Sequence, residues 1–244
     1  MKVLILAGGK GSRFREETDI KPKPMIEING KPIIFHIIEH YVNYGYKDFV
    51  ILGGYKLNYF FEYFENLNFT KKDNVFTTKE NLRITILDTG VDTATGGRIK
   101  RAEDLINEEN FLLTYGDGLS SVNIEELVNF HIKNNRIATV TAVRPPARFG
   151  SLTINDDIVT SFGEKVQSKE GWINGGFFVL NKKIFNFLKD DETIFEQFPL
   201  EELAKTANLL AYKHKGFWYP IDTIREKEIV ESLFKDDKLP WLND

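Results

Sequence analysis

The chain has 244 residues, a net charge of −4, 42% apolar and 28% charged residues, and no cysteine. That length buries a substantial core, the apolar–charged balance excludes disorder, and the lack of cysteine excludes disulfides, thiolate metal sites and cysteine nucleophiles. The acidic balance argues against nucleic acid as a partner, and without a signal-peptide apolar region or about 18 consecutive apolar residues the reading is a soluble, cytoplasmic protein with no membrane partner.

"VLILA" (Val3–Ala7) reads as a buried strand by its length and branching. "KPIIFHIIEHYVNYG" has a proline suited to a first helical turn, apolar residues at helical spacing and a stop at Gly45. "DFVILGG" reads as a strand, "LNYFFEYFENL" as a helix, "LRITILDTG" as a strand and "GGRIKRAEDLINEEN" as a helix. "FLLTYGDG" is a fourth strand ending in a turn, "NIEELVNFHIKNN" a helix capped by Asn123, and "IATVTAV" a strand. This alternation predicts an α/β, Rossmann-like fold: a mostly parallel mixed sheet with helices on both faces, with ligands beyond the carboxyl ends of the strands.

From about Pro145 the pattern changes. "FGSLTINDDIVTSFGEK" alternates like two antiparallel strands about an Asn-Asp-Asp turn, and "INGGFFVL" is one more strand. Two helical stretches and "LLAYKHKGFWYPID" follow. No linker, repeat or low-complexity tract divides the chain, so it reads as a single domain over residues 1–244 whose second half packs on the same sheet and closes the site from one side. His36, His40, His131 and His214 fall in helical or strand patterns and read as structural. The aromatic run Tyr59–Phe64 shows more than one helical face, fitting either a well-buried helix or a contact with a second subunit.

Directly after the first strand, "LAGGKGSRFREETDIKPKPM" concentrates five cations, Lys10, Arg13, Arg15, Lys21 and Lys23, in an acidic chain. Gly8, Gly9 and Gly11 let backbone N–H groups approach an anion with no Cβ in the way. A dinucleotide fingerprint starting at Gly9 requires glycine where Phe14 stands, and a phosphate loop of the G-K-[ST] kind requires lysine where Ser12 stands; both fail. What remains is G-G-x-G-x-R followed by K-P-K-P. The prolines flanking Lys23 predict an extended rail holding that lysine opposite the glycine loop, an arrangement suited to a polyphosphate.

These residues resemble the signature of the sugar nucleotidyltransferases, the nucleoside-diphosphate-sugar pyrophosphorylases. "LAGGKGSRF" and "KPKPMIEINGKPI" begin the resemblance, and "TGGRIKR", "TYGDG", "RFGSL", "INGGFFVLN" and "GFWYPIDTIREK" continue it over nearly the whole chain. Together they are most similar to the glucose-1-phosphate cytidylyltransferase branch. The resemblance implies a nucleotidyltransferase fold with a nucleotide-binding half (residues 1–144) and a small β-rich acceptor-binding half (145–244), CTP and a phosphorylated acceptor as partners, Mg²⁺ as cofactor and a homo-oligomer. It implies that Leu6, Ala7, Gly8, Gly9, Gly11, Ser12 and Gly116 line the nucleotide, with Arg13 and Lys23 on the phosphoryl groups.

Asp117 ends the fourth strand in "YGDG", and Asp222 follows a proline-rigid turn in "WYPID". Mg²⁺ takes one or two protein carboxylates plus substrate oxygens and water, and the resemblance places it on both. In-line attack by an acceptor phosphate oxygen on the α-phosphorus expels diphosphate, and needs positive charge but no general base. In the branch that the chain resembles, the stretch matching "TGVDTATGGRIKR" holds the base, which implies Thr93 and Arg98 as base-side candidates, an arginine donor suiting cytosine O2 and N3. On the acceptor side the resemblance implies Glu164, Lys165, Asn174 and Gly175. Val166 replaces the proline usual in "EKP", and Trp172 lies close by, so the acceptor pocket reads as reshaped. The acceptors that fit are a hexose or heptose 1-phosphate, or a phosphoramidate such as L-glutamine phosphate, the acceptor of a divergent branch, for surface-polysaccharide biosynthesis or modification. Transfer from UTP, dTTP or GTP, and a non-catalytic nucleotide-binding homologue, are the alternatives; the presence of all four phosphate and metal residues favours the enzyme.

Overall fold

The computed structural model describes residues 1–145, 151–163, 171–233 and 239–241. All four side chains of the strand Val3–Leu6 are buried. Val3 and Ile5 enter one apolar layer and Leu4 and Leu6 the other, because successive strand side chains point to opposite faces. A strand covered on both sides must be apolar throughout, as "VLIL" is. Asp48–Gly53 and Asn110–Tyr115 flank it in parallel register, and Arg83–Asp88 lies parallel beyond Asp48–Gly53.

The described residues form a main sheet of nine strands. Its order is Leu209–Lys213, Ala138–Val143, Ile173–Asn181, Asn110–Tyr115, Val3–Leu6, Asp48–Gly53, Arg83–Asp88, Val75–Thr77 and Thr70–Lys72. Ile173–Asn181 runs antiparallel between Asn110–Tyr115 and Ala138–Val143, so strands of the second half continue the sheet of the first. Helices Ile33–Asn43, Leu57–Glu65 and Ile124–Asn134 cover the Val3 face; Thr95–Arg101 and Phe198–Lys205 cover the Leu4 face. Asn123 caps its helix by accepting from Glu126 N–H at 2.9 Å. The ribbon Ser151–Asn155 with Ile158–Gly163 turns at Asp156 and Asp157, as its alternation predicts. No helix among the described residues is long and apolar enough to cross a membrane.

Three local features depart from the sequence reading. Thr70–Lys72 and Val75–Thr77 form an antiparallel hairpin at the sheet edge. Its outer strand, Thr-Lys-Lys, is fully exposed and so carries no apolar alternation to reveal it. That hairpin meets the aromatic helix: Phe60 and Phe64 are buried, and Phe61 lies 6.1 Å from Phe76 ring to ring. Both aromatic faces therefore find partners inside this chain. The helix beginning at Thr95 ends at Arg101 and gives way to a single 3₁₀ turn, Glu103–Leu105. Lys23 opens a 3₁₀ turn, Lys23–Met25, instead of an extended rail. Pro24 falls in the first turn, where a missing N–H costs nothing.

Candidate active site

Beyond the carboxyl ends of Val3–Leu6 and Asn110–Tyr115 the chain turns away and leaves a cavity of about 400 Å³. Leu6, Ala7, Gly8, Gly9, Gly11 and Ser12 form one wall. Arg13, Lys23, Thr93, Arg98, Gly116, Asp117 and Asp222 also line it. Of the five cations in the opening segment, only Arg13 and Lys23 reach this cavity. Lys10 is paired with Asp92 at 2.9 Å, and Lys21 with Glu27 at 3.2 Å.

A short ribbon brings the two carboxylates together. Trp218–Pro220 pairs antiparallel with Gly118–Ser120, and Ile221 N–H donates to the Asp117 carbonyl at 3.0 Å. Asp222, one residue on, thereby lands beside Asp117. Lys23 Nζ donates to Asp117 Oδ2 at 2.6 Å and to Asp222 Oδ1 at 2.5 Å. Burial of Lys23 works against its charge, but the field of Asp117 and the bonds to both carboxylates outweigh it and hold the ammonium pKa above its ordinary value. Arg13 is mostly exposed, with Nη1 3.7 Å from Asp222 Oδ2. No group of three or more acidic or histidine side chains that could hold a metal occurs among the described residues. Two carboxylates at a phosphate-sized cavity fit Mg²⁺ completed by substrate oxygens and water, not a cation caged by protein alone.

Arg98 lines the cavity but is only 4% exposed. Its Nη1 donates to Gly90 O at 2.6 Å, Thr89 Oγ1 at 2.7 Å and Gly53 O at 3.2 Å; its Nη2 donates to Gly8 O at 3.0 Å and Val91 O at 3.1 Å. Those donors are occupied by main-chain carbonyls and a hydroxyl, so in this conformation the guanidinium ties the glycine loop to the Thr89–Val91 loop. Gly8 is required by that closeness, since a Cβ there falls 2.0 Å from Arg98 Nη1. Arg98→Met strips Gly90 O and Val91 O of their donor, whereas Gly8 O and Gly53 O keep the N–H groups of Tyr55 and Thr89, a loss of about 1–3 kcal/mol for each acceptor left unpaired. The expected outcome is a chemical-denaturation midpoint lowered by the equivalent of on the order of 3 kcal/mol.

Gly96 and Gly97 answer to a different contact. The segment Asp190–Glu196 straps across the start of their helix. Asp191 O accepts from Ala94 N–H at 2.7 Å, and Thr193 O accepts from Gly96 and Gly97 N–H at 2.8 and 3.2 Å. Cβ atoms at the two glycines fall 2.6 Å from Thr193 O and Asp191 Cα respectively. The helix start in "TGGR" is thus closed by protein carbonyls.

Of the residues expected to contact the acceptor, Asn174 does not line the cavity but donates from Nδ2 to the Tyr115 hydroxyl at 3.0 Å, and Tyr115 does line it. Gly175 is buried, its carbonyl accepting from Trp218 Nε1 at 2.7 Å. Glu164 and Lys165 lie outside the described residues. Tyr115 and Glu196 are site residues that sequence reasoning missed; only the position of Tyr115, two residues before Asp117, signalled either. A second cavity of about 280 Å³ has Arg144, Trp172, His214 and Lys215 among its described lining residues. The Arg144 guanidinium lies 4.9 Å and Lys213 Nζ 5.8 Å from the Trp172 ring centre. The four histidines stand away from the main cavity. His40 bonds Val122 O at 2.8 Å and Trp241 O at 3.0 Å, and His131 bonds Thr139 Oγ1 at 2.8 Å.

The family model described as nucleotidyl transferase matches residues 2–225. Glucose-1-phosphate cytidylyltransferase of Salmonella typhimurium is 45% identical, covering 99% of this chain and 98% of its own. The probable glucose-1-phosphate cytidylyltransferase of Bacillus subtilis is 44% identical, covering 99% of both. Among solved structures, HddC from Yersinia pseudotuberculosis, complexed with GMP-PN, superposes with a TM-score of 0.73 at 26% identity, covering 96% of this chain and 99% of its own.

Proposed function

The chain belongs to the nucleotidyl transferase family, and on that premise we propose that it transfers the cytidylyl group of CTP to a sugar 1-phosphate, releasing diphosphate. The observation that carries the reaction type is the cluster of Lys23 between Asp117 and Asp222, lining the same cavity as the glycine loop. The choice of CTP and of glucose 1-phosphate is supported by the names of two relatives at 45% and 44% identity.

An oxygen of the acceptor's phosphate attacks the α-phosphorus; one P–O bond forms and the bond to the leaving diphosphate breaks. The attacking oxygen is already ionised at neutral pH, so the site needs no base. Main-chain N–H groups of the glycine loop receive the phosphates. Lys23 neutralises charge developing at the α-phosphoryl group. Arg13, exposed beside Asp222, serves the leaving diphosphate. Asp117 and Asp222 would hold Mg²⁺, which when bound supplies positive charge to the phosphate oxygens.

A second reading concerns the acceptor. Register places Ala142 between Asn174 and Lys213 on one face of the sheet, and Arg144 and Trp172 extend that face. A cationic wall there favours an acceptor with a further anionic group, such as the α-carboxylate of L-glutamine phosphate.

Diphosphate release is the test, with CTP, UTP, dTTP and GTP each paired with glucose 1-phosphate, a heptose 1-phosphate and L-glutamine phosphate. The expected outcome is turnover with CTP and glucose 1-phosphate. Turnover confined to L-glutamine phosphate selects the second reading, and a different nucleotide moves the base assignment. Failure of every pair while CTP still binds overturns the enzymatic reading.

A further inference from the structure

A chain of hydrogen bonds crosses the wall between the nucleotide side and the acceptor side, and its direction can be read from end to end. At one end Gly176 N–H donates to Asn174 Oδ1 at 2.9 Å. That fixes the amide orientation, so Nδ2 faces the Tyr115 oxygen as the donor, at 3.0 Å. Tyr115 must then direct its own proton to Glu196 Oε1, 2.7 Å away. At the other end Phe195 N–H donates to Thr95 Oγ1 at 2.9 Å, leaving the Thr95 proton for Glu196 Oε2 at 2.6 Å.

Both ends of the chain are main-chain N–H groups that cannot reverse. Glu196 is where the two polarities meet, and only a group with two acceptor oxygens satisfies both hydroxyls. Glu196 itself sits on the strap that closes the helix start behind Thr95. Thr95 and Tyr115 both line the main cavity.

We propose that Glu196 is a positioning residue for acceptor recognition: it holds the Tyr115 ring and, through it, the Asn174 amide in one orientation, and ties both to the nucleotide-side loop at Thr95. Asn174 then presents its second Nδ2 hydrogen in a fixed direction, as donor to an acceptor hydroxyl. This rests on the transferase reading above, with the acceptor bound on the Asn174 side.

Glu196→Gln is the discriminating change. The amide keeps the shape but offers one acceptor and one donor, so whichever way it turns, one hydroxyl proton loses its partner. The expected result is an acceptor KM raised about tenfold, the loss of roughly one hydrogen bond, with kcat and the KM for the nucleotide within about threefold. A second readout needs no substrate: 3-fluorotyrosine is incorporated and the Tyr115 resonance is assigned by its loss in Tyr115→Phe. Glu196→Gln is expected to shift that resonance. Should the variant fail to fold, Thr95→Val removes the other donor to the same carboxylate, and the same resonance is expected to shift. An acceptor KM within twofold of the parent, a resonance that does not move, or an equal loss across all kinetic constants overturns the proposal. Inactivity of the parent with every nucleotide and acceptor sinks the transferase reading, and the fluorine shift still decides whether Glu196 orients Tyr115.

Discussion

Lys23→Met lowers turnover by about 10²–10³ at saturating substrate, the loss measured when one charge-stabilising donor is removed from a reacting centre. Methionine keeps most of the length and apolar stem of a side chain that is only 11% exposed. The change therefore isolates the ammonium. Without it, Asp117 and Asp222, which converge on one nitrogen at 2.6 and 2.5 Å, face each other with only the exposed Arg13, 3.7 Å from Asp222 Oδ2, to offset their charge. Both carboxylates are partly exposed, so water and counter-ions screen much of that repulsion and the fold survives. Diphosphate release measures the rate, and calorimetric titration of CTP measures ground-state binding. A fall in kcat much larger than the fall in CTP affinity is the expected split, because Lys23 acts on charge that develops during transfer. A loss of less than tenfold removes Lys23 from the reacting centre.

Asp222→Asn is expected to lower turnover on the order of 10³-fold, several kcal/mol of barrier. Asparagine is isosteric, and its carbonyl oxygen can still accept from Lys23, so the hydrogen bond at Oδ1 survives while the charge is lost. Arg13, 3.7 Å from Oδ2, loses its carboxylate partner as well. The variant is expected to keep CTP affinity within about a factor of five, since one carboxylate and the glycine loop remain. It is also expected to require more Mg²⁺ for half-maximal rate. Rates measured across a Mg²⁺ series, beside CTP binding, separate the two effects. Full activity in this variant removes Asp222 from the machinery.

Much of the fold was legible because a strand covered on both faces has no choice of composition. "VLIL" and "FVIL" announce themselves, and a polar edge strand such as Thr70–Lys72 does not. The position of the cavity was legible for a related reason: in a parallel sheet the loops after the strands share one end, so Gly8, Gly116 and Asp117 had to be neighbours. What stayed hidden depends on partners far away in the chain. The sequence displays the Arg98 donors but not the Gly8 carbonyl 90 positions earlier that receives one of them. Glu196 looked like one acidic residue among several, because the hydroxyls that define it belong to Thr95 and Tyr115, 101 and 81 positions earlier. The Lys23 backbone was misread locally: a proline on each side is as compatible with a 3₁₀ turn as with an extended segment, and packing chose the turn.

The span of the Lys23–Asp222 bond, 199 positions, bears on how the molecule comes into being. Glu17 pairs with Lys227 across 210 positions, and His40 bonds the Trp241 carbonyl across 201. The cluster of Lys23, Asp117 and Asp222 is thus closed by residues that are synthesised well after the ones they meet. Contacts of such separation carry the largest loop-closure cost and form late. A nascent chain can lay down the parallel strands and their helices from its amino end while Asp117 still waits for its counterpart. In refolding from denaturant, the return of catalytic competence should accordingly trail the return of helical circular dichroism, which makes enzymatic activity a clock for the docking of the carboxyl-terminal segment.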